Sequence, residues 1–194
     1  QRSILTKVYV FRLHQPFAHP KNVLRKRRYI INISLIGMPG AGKSTIGILL
    51  AKELGLDFVD TDISIQVRWG KTLQEITDES GYKVLRDYEE QVLLSEDIDQ
   101  RVVATGGSAV YSEAGMARLK AKARVIFLDV SVPALKQRVR NFETRGVARR
   151  PDQSFEDLFA ERRALYQHYA DISLDCSHLG VNEALQAIVD RLQK

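Results

Sequence analysis

From residue 29 onward, short apolar runs rich in β-branched residues alternate with longer segments of helical period. "YIINISLIG" (29–37) is nearly continuous and closed by glycine, which predicts a buried strand. "STIGILLAKEL" (44–54) has a helical repeat, and Gly55 stops it. "DFVD" (57–60) predicts a second strand, and "ISIQVRW" continues as a helix to Gly70. Thr72 followed by Glu75 is a capping box, which opens another helix. A long amphipathic stretch then covers residues 82–95. "RVVAT" (101–105) predicts a third strand and runs into "GGS". "SEAGMARLK" is helical, "RVIFLDV" is a strand, and "ALKQRVR" is a helix begun by Ser131 and Pro133. "SFEDLFAERRALYQHYA" is a helix capped by Ser154, "ISLDC" a last strand and "NEALQAIVDRL" a last helix.

Strands that alternate with helices imply an α/β domain, with a parallel sheet covered by helices on both faces. Ligands of such sheets sit beyond the carboxyl ends of the strands. One segment does not fit the alternation. "NFETRGVARRPDQ" (141–153) has no apolar period and predicts a long polar loop, a candidate mobile lid.

Composition narrows this picture. The chain has 194 residues, 44% hydrophobic and 27% charged, which suits one soluble globular domain. No apolar run is long enough to span a bilayer, so no membrane partner is expected. The single cysteine, Cys176, rules out an intrachain disulfide and fits a reducing compartment such as the cytoplasm. The net charge is +5, yet residues 1–28 hold eight Lys or Arg and no acid. The remainder has 21 basic against 24 acidic side chains. The excess therefore lies in an N-terminal extension, expected to be poorly ordered, and not on the domain from residue 29 to 194. A nucleic-acid-binding face is not expected.

The candidate chemistry follows the strand ends. Gly37, Gly42, Lys43 and Ser44 fit G-x-x-x-x-G-K-[ST] between a predicted strand and a predicted helix. In such a loop the backbone N–H groups of Gly40, Ala41, Gly42, Lys43, Ser44 and Thr45 cradle phosphates. Lys43 reaches the β- and γ-phosphates, and Ser44 ligates Mg²⁺. Asp60 and Asp62 are two residues apart, so in extended geometry they share a face. One could hold metal-bound water and the other could orient a hydroxyl. Arg86 and Glu89 can pair at i,i+3 on a helix. The pair Gly106 and Gly107 suggests close approach of backbone to a ligand. Arginine grips carboxylates with two parallel hydrogen bonds, which makes Arg86, Arg162 and Arg163 candidates for that task. Trp69, Tyr166, His168 and Tyr169 read as core or interface.

This ordered set ("GMPGAGKST", "DFVDTD", "RDYEE", "VVATGGS", a lid, "RRALYQHYAD") resembles the shikimate kinase family from about residue 30 to the last residue. The resemblance implies a P-loop kinase fold like that of nucleoside monophosphate kinases, with a five-stranded parallel sheet. It also implies transfer of the γ-phosphoryl of ATP to the 3-hydroxyl of shikimate, with Mg²⁺. It gives Asp62 the substrate hydroxyls and Asp60 the magnesium shell. Arg86 and Arg162 would clamp the substrate carboxylate, and Gly106 and Gly107 would lie against the substrate. A lid arginine over the nucleotide is expected at Arg145, seventeen residues before Arg162, with Arg150 in reserve. A monomer is expected.

Four departures fall on the acceptor and lid side. Ser108 stands where the family usually has a third glycine, Leu85 where it has phenylalanine, and Tyr82 where it has glutamate. The lid lacks the usual leucines. A kinase of another small hydroxy acid such as gluconate, or a nucleotide-sensing domain on the same scaffold, are the alternatives.

Overall fold

The structure is a computed structural model that describes residues 32–139 and 146–193. The basic extension 1–28 and Arg145 lie outside the described residues. Five strands form one parallel sheet in the order β2-β3-β1-β4-β5. They are β1 (Asn32–Ile36), β2 (Asp57–Asp60), β3 (Arg101–Ala104), β4 (Ala123–Asp129) and β5 (Ile172–Asp175). Register runs Ile33 to Val102 on one side of β1 and Ser34 to Val125 on the other. All five residues of the central β1 are buried, as a strand covered on both faces requires.

The helices are α1 (Lys43–Leu54), α2 (Thr61–Trp69), α3 (Leu73–Ser95), α4 (Glu113–Lys122), α5 (Val132–Arg138), α6 (Phe155–Tyr169) and α7 (Val181–Leu192). Local signals set most of their ends. Gly55 and Gly70 close α1 and α2 in the left-handed conformation, the commonest helix stop. Thr72 and Glu75 form the predicted capping box, with reciprocal bonds of 2.7 and 3.2 Å. Ser154 caps α6. Helix α3 kinks at Gly81, which separates the capped first turns from the predicted amphipathic stretch. A 3₁₀ turn, Ala109–Tyr111, follows β3 and carries no periodic signal that would predict it.

Two apolar clusters organise the interior. The larger includes β1, β3, β4 and the inner faces of α1, α4 and α6. The smaller holds Ile65, Ile76, Leu85, Val92 and Ala148, so α2, α3 and the lid segment share a core of their own. Residues 146–150 form neither helix nor strand. Gly146 N–H donates to Gln74 Oε1 at 2.7 Å, and Ala148 is buried. Gly146 is thus fastened to the start of α3. No helix among the described residues is long and apolar enough to cross a membrane.

Candidate active site

The donor side grows from a single strand-loop-helix unit. β1 delivers the chain to Gly37, and the loop turns into α1 at Gly42. Gly42 has φ 99° and ψ 11°, a backbone that a side chain would strain. No side chain caps this helix and its first turn holds no acid. Its free amides therefore remain available to an anion, and the helix dipole favours one. Ser44 and Thr45 are exposed at this end. Lys43 is buried, and its ammonium donates to the carbonyls of Gly37 (2.8 Å) and Met38 (3.0 Å). Burial pulls its pKa down to about 8, against the opposing pull of the Asp62 and Asp60 carboxylates.

The facing side of the cleft is built from dispersed elements. Asp60 and Asp62 do not share an extended face. Asp60 ends β2 as the N-cap of α2, and its carboxylate accepts from the N–H of Asp62 at 3.0 Å. Helix formation rotates Asp62 into the cleft wall and leaves Asp60 buried beneath it. The Arg86–Glu89 pair does not form either. Glu89 is buried and turned toward the glycine loop, where it accepts from the Ser108 hydroxyl and, at 3.3 Å, from the Ser108 N–H. Burial and the nearby Asp62 charge push its pKa up to about 7.

The glycine loop explains why Gly106 cannot carry a side chain. A Cβ there would fall 2.7 Å from Asp62 Oδ1 and closer still to Glu89. The loop is held by Gly106 N–H on Thr61 Oγ1 at 2.8 Å and by the Tyr166 hydroxyl on the Gly107 carbonyl at 2.5 Å. Tyr166 is fully buried, so the core reading of this tyrosine holds, and it also fastens the loop.

Arg86 and Arg162 come from α3 and α6 and converge on one atom, the Ala148 carbonyl oxygen, at 3.4 and 2.7 Å. Arg162 is 1% exposed, although a mid-helix arginine is ordinarily solvated. Among the described residues neither Nε finds an acceptor, and neither guanidinium pairs with a carboxylate. Arg150, the reserve lid arginine, turns instead to Glu161 at 3.3 Å.

The P-loop and the residues facing it line one cleft of about 580 Å³. Gly40, Gly42, Lys43, Ser44 and Thr45 line one part; Asp62, Gly107 and Arg162 line another. Ala41, Asp60, Arg86 and Gly106 are not among the residues that line it. Glu89 and Thr105 also line it, from within the RDYEE and VVATGGS stretches but with no site role expected of them, and Arg138 lines it from outside every motif. Arg138 sits beside the P-loop and donates to the Cys176 carbonyl at 2.7 Å. Its position at the end of a helix that follows a strand was the only available signal.

A family model described as shikimate kinase matches residues 39–193. A shikimate kinase of Pseudomonas aeruginosa (strain LESB58) is 38% identical over 169 residues, covering 85% of this chain and 98% of its own. One of Xanthomonas euvesicatoria pv. vesicatoria is 37% identical over 164 residues, covering 83% and 91%. Among solved structures, shikimate kinase from Acinetobacter baumannii in complex with shikimate aligns with a TM-score of 0.74 at 29% identity, covering 85% of this chain and 94% of that one. Shikimate kinase from Aquifex aeolicus aligns with 0.71 at 31% identity, covering 83% and 95%. With its P-loop, its parallel sheet and this cleft, the chain belongs to the shikimate kinase family.

Proposed function

We propose that this protein is the shikimate kinase of its cell, acting as a cytoplasmic monomer that transfers the γ-phosphoryl of ATP to the 3-hydroxyl of shikimate. The convergence of Arg86 and Arg162 on one oxygen, that of Ala148 in the cleft that Lys43 also lines, carries this reading. Two guanidinium groups aimed at one point suit a carboxylate, and the acceptor carboxylate would take the place of the Ala148 carbonyl.

The P-loop amides and Lys43 would hold the β- and γ-phosphates. Asp62 would orient the attacking hydroxyl and accept its proton as the new O–P bond forms. The bond from the γ-phosphorus to the β-bridging oxygen breaks, and ADP leaves. Gly106 and Gly107 would let backbone lie against the ring. Arg145 would stabilise charge on the phosphoryl in transit. The donor set at Ser44 and Asp60 is all oxygen, as magnesium requires. Ser44 would ligate the ion directly and Asp60 through water, and the ion would neutralise phosphate charge when bound. Closing the lid would exclude water and so prevent ATP hydrolysis.

A coupled ADP-release assay across shikimate, gluconate and related hydroxy acids tests this. Shikimate should be turned over with the highest kcat/KM. Preferential use of gluconate would overturn the acceptor. ATP hydrolysis that no acceptor stimulates would overturn the kinase reading in favour of a sensor.

A further inference from the structure

Tyr111 has no role in the chemistry above, yet it touches both arms of the carboxylate clamp. The Arg86 guanidinium carbon lies 3.5 Å from the centre of the Tyr111 ring, and Arg162 lies 5.5 Å from it. Tyr82 covers Arg86 at 5.1 Å. The ring itself is fixed at both ends. Its backbone N–H donates to the Ser108 carbonyl at 3.0 Å within the 3₁₀ turn. Its hydroxyl donates to Glu161 Oε1 at 2.5 Å, and Glu161 is held in turn by Gln153 at 2.7 Å.

The physical problem at this position is specific. Arg86 is half-buried, and burial lowers its pKa. A desolvated cation needs a partner. A carboxylate partner would hold it but would neutralise the charge that a ligand carboxylate needs. The negative face of an aromatic ring attracts the cation and leaves its charge and its edge donors available. Among the described residues Arg86 has no acidic partner, and Glu89, one turn on, faces the glycine loop instead. Glu161, the nearest acid on α6, is directed to the hydroxyl of Tyr111.

We propose that Tyr111 is a positioning residue for acceptor recognition. Its ring holds Arg86 beside Arg162 with the clamp's positive charge intact. Tyr111 touches no substrate and acts only through the arginines. The inference rests on the acceptor being a carboxylate, as proposed above.

The test uses the full chain with shikimate and its methyl ester, which keeps the ring hydroxyls but not the negative charge. The wild-type protein should prefer the acid. Tyr111→Leu should raise KM for the acid about tenfold, the size of a desolvated cation–ring contact. KM for the ester, KM for ATP and kcat should stay within about twofold. Tyr111→Met, closer in volume, gives the same comparison if the leucine variant does not fold. Tyr111→Phe keeps the ring and should retain the preference for the acid. Parallel changes for acid and ester, or an unchanged preference in Tyr111→Leu or Tyr111→Met, would overturn the inference. A wild-type protein that phosphorylates neither compound would instead remove the acceptor reading, and the inference with it.

Discussion

The proposed donor and acceptor sides of the cleft are built on opposite plans. The donor side is one continuous stretch, from Gly37 to Thr45, and most of what it offers is backbone. The acceptor side takes Asp62 from α2, Glu89 from α3, Gly107 from the loop after β3, Ala148 from the lid and Arg162 from α6. A phosphate cradle needs amides pointing inward, and a short glycine-rich turn into a helix provides them wherever it occurs. A carboxylate clamp needs side chains brought together from a distance, so it exists only when the fold is complete. The donor side should therefore fail through single charges. The acceptor side should fail through packing and positioning.

Lys43→Ala is the largest expected break. It removes the buried ammonium of the P-loop, and loss of such a preorganised group costs roughly 10²–10³ in rate. ADP release should fall by at least that factor, while shikimate binding measured by calorimetry stays within a few-fold. Near-normal turnover would end the assignment of Lys43 to the donor side.

Gly106→Ala should do the reverse. The new methyl group collides with Glu89 and Asp62. Glu89 cannot swing aside cheaply, because it is buried and held by Ser108. Overpacking of this kind costs about 1–3 kcal/mol, visible as a lowered Tm. KM for the acceptor should rise at least about tenfold, since the shift falls on Asp62, with KM for ATP little changed. A variant with altered ATP affinity and normal acceptor KM would show that the two sides are not separable.

The same contrast governs what could be read from the sequence. The P-loop, the glycine helix stops, the capping box at Thr72 and the alternation of strands and helices along the chain all depend on neighbours within a few residues. They were legible. The placement of Asp62 was legible as a residue but not as geometry, because two residues apart implies a shared face only in a strand, and Asp60 caps a helix instead. The i,i+3 spacing of Arg86 and Glu89 predicted a pair, yet burial draws Glu89 to the Ser108 hydroxyl and leaves Arg86 to an aromatic ring. Tyr111 and Arg138 belong to no motif. Tyr111 lies against Arg86 from a 3₁₀ turn, and Arg138 lines the cleft from a helix end, places that only tertiary packing creates.

The smallest expected effect is also the finest test of the comparison. Lys43 titrates at about 8 because burial disfavours its charged form. Only the protonated ammonium attracts phosphate, so kcat/KM for ATP should hold below pH 8 and fall toward tenfold per unit above it. Bound phosphates favour the charged form and raise the pKa. The limb should accordingly move to higher pH in kcat, and ATP binding near pH 8 should take up a fraction of a proton. Calorimetry in buffers of different ionisation enthalpy measures that uptake. With ATP saturating, kcat/KM for the acceptor should show no break at 8, because Lys43 then stays charged; a break near 7 would instead report Glu89, which burial and the Asp62 charge push up to about 7. A shared break at 8 in both profiles would mean that Lys43 serves the acceptor as well as the donor.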